Sequence, residues 1–333
     1  MLTLDRNPGS SIASREPRSD KGLDFIWLEV TGKCNLRCVH CYAESGPQRQ
    51  LHEYMTPRRW EVVLEQAAEL GCRAVQFIGG EPTMYPGLAP LIERARRVGF
   101  GAVEIYTNGT MIKPRLRDTL LRHNVALAFS VYADHAQIHD EVTQQAGSFA
   151  RTLESIRWAL ASGLSVRVGI IKMEANCAHI EQTEKLLRGI GVTNVDVDRV
   201  RAIGRGGHEE ALDRQLGQLC GACVRGRLAV TASGDIFPCV FSRFWPLGHV
   251  DQGLRPVVEG LSLASFRQAL RANRDLSESL NDCDPGCAPG ICGPGLTDPC
   301  RPDKHCGPNP NCTPDLSCEP ERPCQPFWTP GPS

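Results

Sequence analysis

Three cysteines stand close together near the start of the chain, at Cys34, Cys38 and Cys41. Three thiolates on one short loop can ligate three irons of a cubane iron–sulfur cluster and leave the fourth iron open to another ligand. The alternatives are a zinc site or redox thiols, although zinc usually takes CxxC pairs and four protein ligands. The spacing therefore predicts an iron–sulfur centre with one open coordination position.

These cysteines follow the first of six apolar runs of strand length, which alternate with stretches of helical periodicity. The predicted strands cover residues 25–30, 74–78, 102–107, 126–131, 165–171 and 194–199. The predicted helices cover residues 57–70, 87–98, 113–123, 149–162 and 179–190, with another near 262–274. Six β/α units in order predict an α/β fold, and six rather than eight predict an open, partial (β/α)6 barrel with helices outside. The cysteine loop then lies at the carboxyl edge of the sheet, where such folds build their sites.

Composition narrows the class of protein. The chain has 333 residues, a net charge of -1 and a pI near 6.7, which gives no electrostatic case for nucleic acid or an anionic membrane surface. No apolar run reaches the length of roughly 18 residues that a membrane span needs. Residues 1–21 lack the apolar core of a signal peptide and are expected to be a disordered lead-in. Because 16 cysteines occur without a secretion signal, we expect a cytoplasmic protein whose cysteines bind metal or clusters rather than form disulfides.

The CxxxCxxC spacing, with the aromatic His40 before the last cysteine, resembles the signature of the radical S-adenosylmethionine (radical SAM) superfamily. The segment Gly79-Gly80-Glu81-Pro82 after the second strand resembles the GGE motif of that family, which holds the methionine amino group. The resemblance implies a catalytic 4Fe–4S cluster on the three cysteines and S-adenosyl-L-methionine (SAM) on the open iron. It also implies reductive cleavage of SAM to a 5′-deoxyadenosyl radical, which abstracts a substrate hydrogen, and an electron donor such as flavodoxin or ferredoxin.

Further cofactor-binding candidates follow from the same resemblance. Asn108 comes directly after the third predicted strand, and Ser130 lies at the end of the fourth, a common ribose-contact position in similar enzymes. Residues 169–174 resemble the strand-five motif of the family only in part. Residues 198–206 resemble the strand-six ending of members that carry a C-terminal cluster module.

The catalytic residue is not identified by the sequence, but two candidates stand near the expected site. Cys177 follows the fifth strand, and in peptide epimerases of the family a cysteine returns a hydrogen to the substrate radical. Its alternative is a helix-entry residue beside Asn176. Asp140 belongs to a His139-Asp140 pair that resembles the HD pair of family members that act on peptides. The alternative for that pair is ordinary polarity on a helix surface.

A second cysteine set resembles the opening of the SPASM or twitch modules, which hold an auxiliary 4Fe–4S cluster. Its candidate ligands are Cys220, Cys223, Cys239, Cys283 and Cys287. The later spacing, CX3CX4CX7C, differs from the CX2CX5CX3C of SPASM proper, so we expect one or two auxiliary clusters. Such a cluster accepts an electron from the substrate radical or anchors the substrate. A structural zinc site is the alternative.

The end of the chain carries a repeat of Cys-x-Pro. Its cysteines are spaced by six residues at Cys300, Cys306, Cys312, Cys318 and Cys324. If this segment were extended as polyproline II, successive cysteines would be about 19 Å apart, too far for one cluster. The expected organisation is a lead-in at 1–21, the barrel at 22–205, a SPASM/twitch-like module at 206–292 and an irregular Cys/Pro-rich tail at 293–333.

These features together predict an enzyme that begins its reaction by hydrogen abstraction. The preferred interpretation is modification of a ribosomal peptide in natural-product biosynthesis. Because little sequence precedes residue 22, we expect a separate leader-peptide-binding protein to deliver the peptide. One alternative is a radical dehydrogenase or epimerase of a small molecule such as an aminosugar. An alternative of another class is a metal-binding or metal-sensing protein, which would have no need of the Gly-Gly-Glu-Pro segment.

Overall fold

The computed structural model of the chain describes residues 22–49 and 54–280. Within these residues one sheet has nine strands in the order β6-β5-β4-β3-β2-β1-β7-β8-β9. The strands are β1 (Phe25–Thr31), β2 (Ala74–Gly79), β3 (Ala102–Thr107), β4 (Ala126–Ser130), β5 (Val166–Lys172), β6 (Asn194–Arg199), β7 (Arg227–Val230), β8 (Asp235–Phe237) and β9 (Gly248–His249). The first seven are parallel, and β8 and β9 are antiparallel. The predicted α/β fold is confirmed, with the six barrel strands in chain order and open ends at β6 and β9.

Nine α-helices accompany the sheet in the described part of the chain. They are α1 (Pro57–Glu69), α2 (Leu88–Arg97), α3 (Pro114–Arg122), α4 (Ala136–Thr143), α5 (Ser148–Ala161), α6 (Ile180–Gly189), α7 (Leu212–Gly217), α8 (Leu254–Val258) and α9 (Leu261–Leu280). The start of helix α1 is determined by local sequence. Pro57 occupies its first turn and the Thr56 hydroxyl accepts a hydrogen bond of 3.3 Å from the Arg59 backbone N–H.

Helix α4 was not predicted from the sequence. It has only eight residues, and its buried side chains are His139, Val142 and Thr143, two of which are polar. A short helix with a polar buried face has no apolar periodicity, and this is why the sequence pattern did not reveal it.

The two faces of the sheet differ in chemistry, because side chains alternate along each strand. One face is apolar and packs with the helices in a single core that includes Ile26, Leu28, Phe77, Ile105 and Val168. The opposite face carries the intervening residues, among them Trp27, Glu29, Gln76, Glu104, Tyr106, Arg167 and Asp196. The concave interior expected of a partial barrel is therefore lined by polar and charged groups.

The proposed boundary near residue 205 does not interrupt the sheet. Strand β7 pairs in parallel with β1, from Phe25 opposite Arg227 to Leu28 opposite Val230. Residues 227–249 thus extend the sheet of the barrel through β7, β8 and β9. The division between a barrel and a module stays a prediction, and the lead-in and the Cys/Pro-rich tail lie outside the described residues.

In the part of the chain that the structure describes, no helix combines the length and the apolarity needed to cross a bilayer.

Candidate active site

The loop that carries Cys34, Cys38 and Cys41 leaves the carboxyl end of β1, as the sequence predicts. Cys34 is buried, and the other two cysteines are half-buried. The backbone N–H groups of Arg37 and Val39 donate to the carbonyls of Thr143 and Val142, at 3.1 and 3.0 Å. Because these carbonyls belong to the last turn of α4, the unpredicted helix supports the middle of the cysteine loop.

The Gly-Gly-Glu-Pro segment holds the start of the same loop. The backbone N–H of Gly80 donates to the Thr31 carbonyl at 2.7 Å, and that of Glu81 donates to the Lys33 carbonyl at 2.8 Å. A β-carbon on Gly80 would lie 2.1 Å from the Lys33 carbonyl oxygen. The glycine is therefore required by the close approach of the two loops.

The Glu81 carboxylate has a structural task that the sequence did not show. The side chain is fully buried, and its oxygens accept four hydrogen bonds from Thr83, Thr107 and Asn108. Burial raises the pKa of Glu81, while these hydrogen bonds oppose the shift. The carboxylate ties the end of β2 to the end of β3.

Asn108 lies against the first cysteine of the loop. Its side-chain amide donates to the Asn35 side-chain oxygen at 3.0 Å and approaches Cys34 Sγ at 3.8 Å. Its own oxygen accepts from the backbone N–H of Thr110 at 2.9 Å. The candidate from strand three is thus brought to the cysteine loop and is held in one orientation.

Ser130 lies at the end of β4 between two tyrosines that the sequence analysis did not single out. Burial raises the pKa of the Tyr106 and Tyr132 phenols, while the nearby Ser130 hydroxyl opposes the shift of both. The Tyr132 ring packs edge-on against His40 of the cysteine loop with 4.9 Å between ring centroids. The segment that follows Ser130 therefore contacts the cysteine loop through Tyr132.

The thiols of the loop are in surroundings that disfavour a bare thiolate. Burial raises the pKa of Cys34 and of Cys38 to about 12 in the metal-free chain, and nearby negative groups add to the shift. Burial and the positive charge of Arg205 lower the pKa of His40 to about 4, so this ring is neutral at pH 7. Iron coordination displaces thiol protons and neutralises the thiolate charge, so three such thiols on one supported loop fit a cluster.

The segment after β6 closes the loop from the other side. The Arg205 guanidinium donates to the carbonyls of Cys38 and Ser45, at 2.8 and 2.7 Å, and its backbone N–H donates to the Cys41 carbonyl at 3.1 Å. Gly204 has φ +58°, and a β-carbon there would lie 2.4 Å from the Tyr42 carbonyl oxygen. The segment that resembles a strand-six ending therefore holds the cysteine loop in place.

Replacing Arg205 with alanine should weaken the retention of iron on this loop, because two backbone carbonyls lose their charged donor. We expect iron to leave the variant several-fold faster than wild type during incubation with a chelator, followed by absorbance under anaerobic conditions. Arg214→Ala is the matched control, since Arg214 is exposed and pairs with Glu209 at 3.3 Å. Equal rates of iron loss for the Arg205 variant and wild type would show that this clamp is unimportant.

The two catalytic candidates occupy different settings. Cys177 is half-buried in the 3-10 helix Glu174–His179, next to the buried Asn176. The Asp140 carboxylate accepts hydrogen bonds from the backbone N–H groups of Gly147 and Phe149 and from the Ser148 hydroxyl, at 2.6 to 2.9 Å. Asp140 thus stabilises the start of α5, which accounts for its presence without catalysis. A catalytic role for either residue stays a prediction.

The second cysteine set is gathered in part. The nearby thiols of Cys220 and Cys239, together with burial, raise the pKa of Cys223, and the Ser242 hydroxyl accepts from the Cys239 backbone N–H at 2.9 Å. Arg274 of α9 donates to the Cys220 carbonyl at 2.8 Å, so the final helix passes close to this group. The other two predicted ligands, Cys283 and Cys287, lie outside the described residues.

Side chains connect the two cysteine sets. Arg243 donates to the buried Glu29 carboxylate of β1 at 2.5 and 2.6 Å. The Tyr42 ring, directly after Cys41, packs edge-on against Phe241, two residues after Cys239, with 5.3 Å between centroids. Neither Arg243 nor Phe241 could be assigned from a local pattern in the sequence.

Comparison with known proteins agrees with this architecture. Residues 28–187 match the model of the Radical SAM superfamily. The chain is 26% identical over 181 residues to the antilisterial bacteriocin subtilosin biosynthesis protein AlbA of Bacillus subtilis (strain 168), covering 54% of this chain and 40% of AlbA. It is 30% identical over 184 residues to the PqqA peptide cyclase of Gluconobacter oxydans (strain 621H), covering 54% and 50% of the two chains. It is also 28% identical over 145 residues to the GTP 3',8-cyclase of Peptoclostridium acidaminophilum, covering 43% and 44%. The matches span half or less of each of these relatives.

Solved structures share the fold. SuiB from Streptococcus suis bound to S-adenosylmethionine superposes with a TM-score of 0.62 at 14% identity, covering 74% of this chain and 68% of SuiB. SuiB bound to its precursor peptide SuiA superposes with a TM-score of 0.60 over 74% of this chain and 67% of SuiB. The matched family model, the parallel sheet and the cysteine loop at its carboxyl edge agree, and residues 28–187 of this chain form a radical SAM superfamily domain.

Proposed function

We propose that this radical SAM enzyme modifies a ribosomal peptide in the biosynthesis of a natural product, and that its reaction begins with abstraction of a hydrogen atom from the peptide. The observation that carries this proposal is the loop of Cys34, Cys38 and Cys41, joined to Gly80 and Glu81 by backbone hydrogen bonds at the carboxyl edge of the sheet. Membership of the family implies a 4Fe–4S cluster and SAM as cofactors.

The three cysteines of the loop are proposed as the cluster ligands. When bound, the cluster and SAM supply the 5′-deoxyadenosyl radical that abstracts hydrogen. The candidate SAM-binding residues are Gly79, Gly80, Glu81, Pro82, Asn108 and Ser130. Because the Glu81 carboxylate already accepts four hydrogen bonds, we assign it the support of the site and assign contact with the cofactor to the backbone of the two glycines.

The interior face of the sheet supplies groups that can orient a polar substrate. Arg167 donates to Glu104 through two hydrogen bonds of 2.9 Å; Glu104 lies two residues before Tyr106 on β3, and Arg167 is level with Tyr106 and deeper along the strands than Ser130. This ion pair joins β3 to β5 inside the barrel, and because both charges are buried and paired, neither is left free beside a radical. The Tyr106 phenol and the Ser130 hydroxyl, which lie nearer the carboxyl ends of the strands than Glu104, are the groups that we propose position the substrate.

A peptide substrate is favoured by the names of similar proteins. One relative is a peptide cyclase, and SuiB was solved with a precursor peptide. Another relative is a cyclase of GTP, so a small-molecule substrate remains the second candidate. A flavodoxin or ferredoxin as electron donor and a separate leader-peptide-binding protein are part of the proposal.

A hydrogen-transfer experiment distinguishes the two substrate classes. The reduced full-length chain is incubated with SAM and with the short peptides encoded by neighbouring genes, prepared with deuterated amino acids. We expect 5′-deoxyadenosine to gain deuterium from one peptide and the mass of that peptide to change. Transfer only from a deuterated small molecule, such as an aminosugar or GTP, would contradict the peptide assignment.

We also propose that Cys220, Cys223 and Cys239, with Cys283 and Cys287, hold an auxiliary cluster. Support comes from the proximity of the first three thiols, whose mutual effects shift the pKa of Cys223, and from the contact of α9 with Cys220. Helix α9 ends at Leu280, three residues before Cys283. A second auxiliary cluster would need cysteines from the tail.

Replacing Cys223 and Cys239 together with alanine should remove this auxiliary cluster and leave the first. We expect a loss of about four irons per chain, by the composition of a cubane cluster, with SAM cleavage retained in the absence of substrate. Iron analysis and Mössbauer spectra of the full-length variant measure this. A variant with the iron content of wild type would refute the ligand assignment, and loss of zinc without loss of iron would identify a structural zinc site.

A further inference from the structure

Three metal-ligating side chains meet outside both cysteine sets. One Asp134 carboxylate oxygen lies 3.0 Å from Nδ1 of His135 and 3.0 Å from Nδ1 of His179. The ring centroids of the two histidines are 4.8 Å apart, and the three ligand atoms all lie within 4.8 Å of one another. This group is the Asp134 cluster.

The Asp134 cluster is held by contacts that do not involve its own members. Buried Asn176 donates to the carbonyls of Tyr132 and Ile171, at 2.8 and 2.9 Å, and accepts from the Met173 backbone N–H at 2.8 Å. It thereby fixes the segment after β4 against the 3-10 helix Glu174–His179 that follows β5. Two residues 45 positions apart, Asp134 and His179, are therefore brought together by the fold before any ligand binds.

The chemistry of the three groups suits a transition metal ion. Two imidazole nitrogens and one carboxylate oxygen form a common ligand set for zinc and other first-row divalent ions. Ligands about 2.1 Å from one ion, at angles between a right angle and a tetrahedral angle, are about 3.0 to 3.4 Å apart. The two separations of 3.0 Å meet this requirement. Each neutral imidazole can keep its proton on Nε2 while Nδ1 binds the ion.

The three side chains of the Asp134 cluster are exposed enough to leave room for an ion and for a further ligand. The side chains of Asp134, His135 and His179 are 29%, 42% and 33% exposed. Three protein ligands leave at least one coordination position open, as in catalytic zinc sites. The cluster contains no thiol, which separates it chemically from the iron–sulfur ligands.

We propose that Asp134, His135 and His179 bind one divalent transition metal ion at the carboxyl edge of the sheet, with an open coordination position. The site stands two residues beyond Tyr132, whose ring packs against His40 of the cysteine loop with 4.9 Å between ring centroids. An ion held here would offer a Lewis-acidic position for a carboxylate or imidazole of a molecule that enters the barrel.

The test uses Zn²⁺ and the full-length chain with its clusters reconstituted anaerobically. Wild type, His179→Ala and Asp134→Asn are dialysed against the same buffered free zinc, and bound zinc and iron are counted by mass spectrometry. We expect each variant to bind one zinc fewer per chain, with iron unchanged. His208→Ala is the control, because exposed His208 lies beside Glu210 at 4.0 Å, and it should keep the wild-type count. The cysteine tail contributes equally to all four proteins.

Equal zinc counts in wild type and both variants would overturn the proposal and leave the Asp134 cluster as a hydrogen-bonded group only. Zinc-edge X-ray absorption of the wild-type protein decides the matter even if a variant fails to fold. The proposal requires a component with nitrogen and oxygen ligands, and a spectrum with sulfur ligands alone would refute it.

Discussion

The variant with Cys34, Cys38 and Cys41 replaced by alanine should lose about four irons per chain and all cleavage of SAM. The physical reason is that no other thiol in the described residues lies on this loop, between Gly80, Asn108 and Arg205. The iron of the second cysteine set should remain, because Cys220, Cys223 and Cys239 are unchanged. Iron analysis, Mössbauer spectra and chromatography of 5′-deoxyadenosine measure the two losses.

Cys72→Ala provides the control for the removal of a thiol. Cys72 is fully buried, and its thiol donates to the Ala74 carbonyl at 3.3 Å, in agreement with the core role expected of a small apolar residue. We expect this variant to keep its iron and its activity. A triple variant that retained the iron content of wild type would show that the cluster is held elsewhere.

The variant Gly80→Ala should have the next largest effect. Its new methyl group would lie 2.1 Å from the Lys33 carbonyl oxygen, and backbone hydrogen bonds from Gly80 and Glu81 prevent the loops from separating freely. Overpacking of this kind typically costs about 1–3 kcal/mol of stability. Because the start of the cysteine loop must move, we also expect SAM binding, measured by equilibrium dialysis, to fall by at least roughly tenfold, which is about 1.4 kcal/mol.

Gly101→Ala is the matched control for this substitution. The nearest atom to a β-carbon at Gly101 is the Arg73 carbonyl oxygen, at 4.0 Å. The control should therefore bind SAM as wild type does. Normal SAM binding by the Gly80 variant would mean that the segment is merely a turn.

Local patterns in the sequence were sufficient for the fold of the barrel. Each of the six predicted strands overlaps an observed strand, because parallel strands covered on both faces are rich in apolar residues. The three cysteines follow the first predicted strand in the sequence, and they lie on the loop after β1 in the structure. Both results depend on residues that are close to one another in the chain.

Contacts between distant residues could not be predicted in the same way. Arg205 reaches the Cys38 carbonyl across 167 positions, and Arg243 reaches Glu29 across 214. The partners of the Glu81 carboxylate on β3 are visible only once the strands are paired. Such contacts depend on the alignment of strand ends, which the sequence of one segment does not contain.

Cleavage of SAM by the unmodified full-length chain tests the central claim most directly. The protein is reconstituted with iron and sulfide under anaerobic conditions, reduced with dithionite and incubated with SAM. Because a cluster held by only three cysteines would leave one iron open to the cofactor, we predict that 5′-deoxyadenosine and methionine form in equal amounts, as measured by mass spectrometry. A protein whose reduced 4Fe–4S cluster is verified by its spectrum, but which forms neither product, would contradict the account.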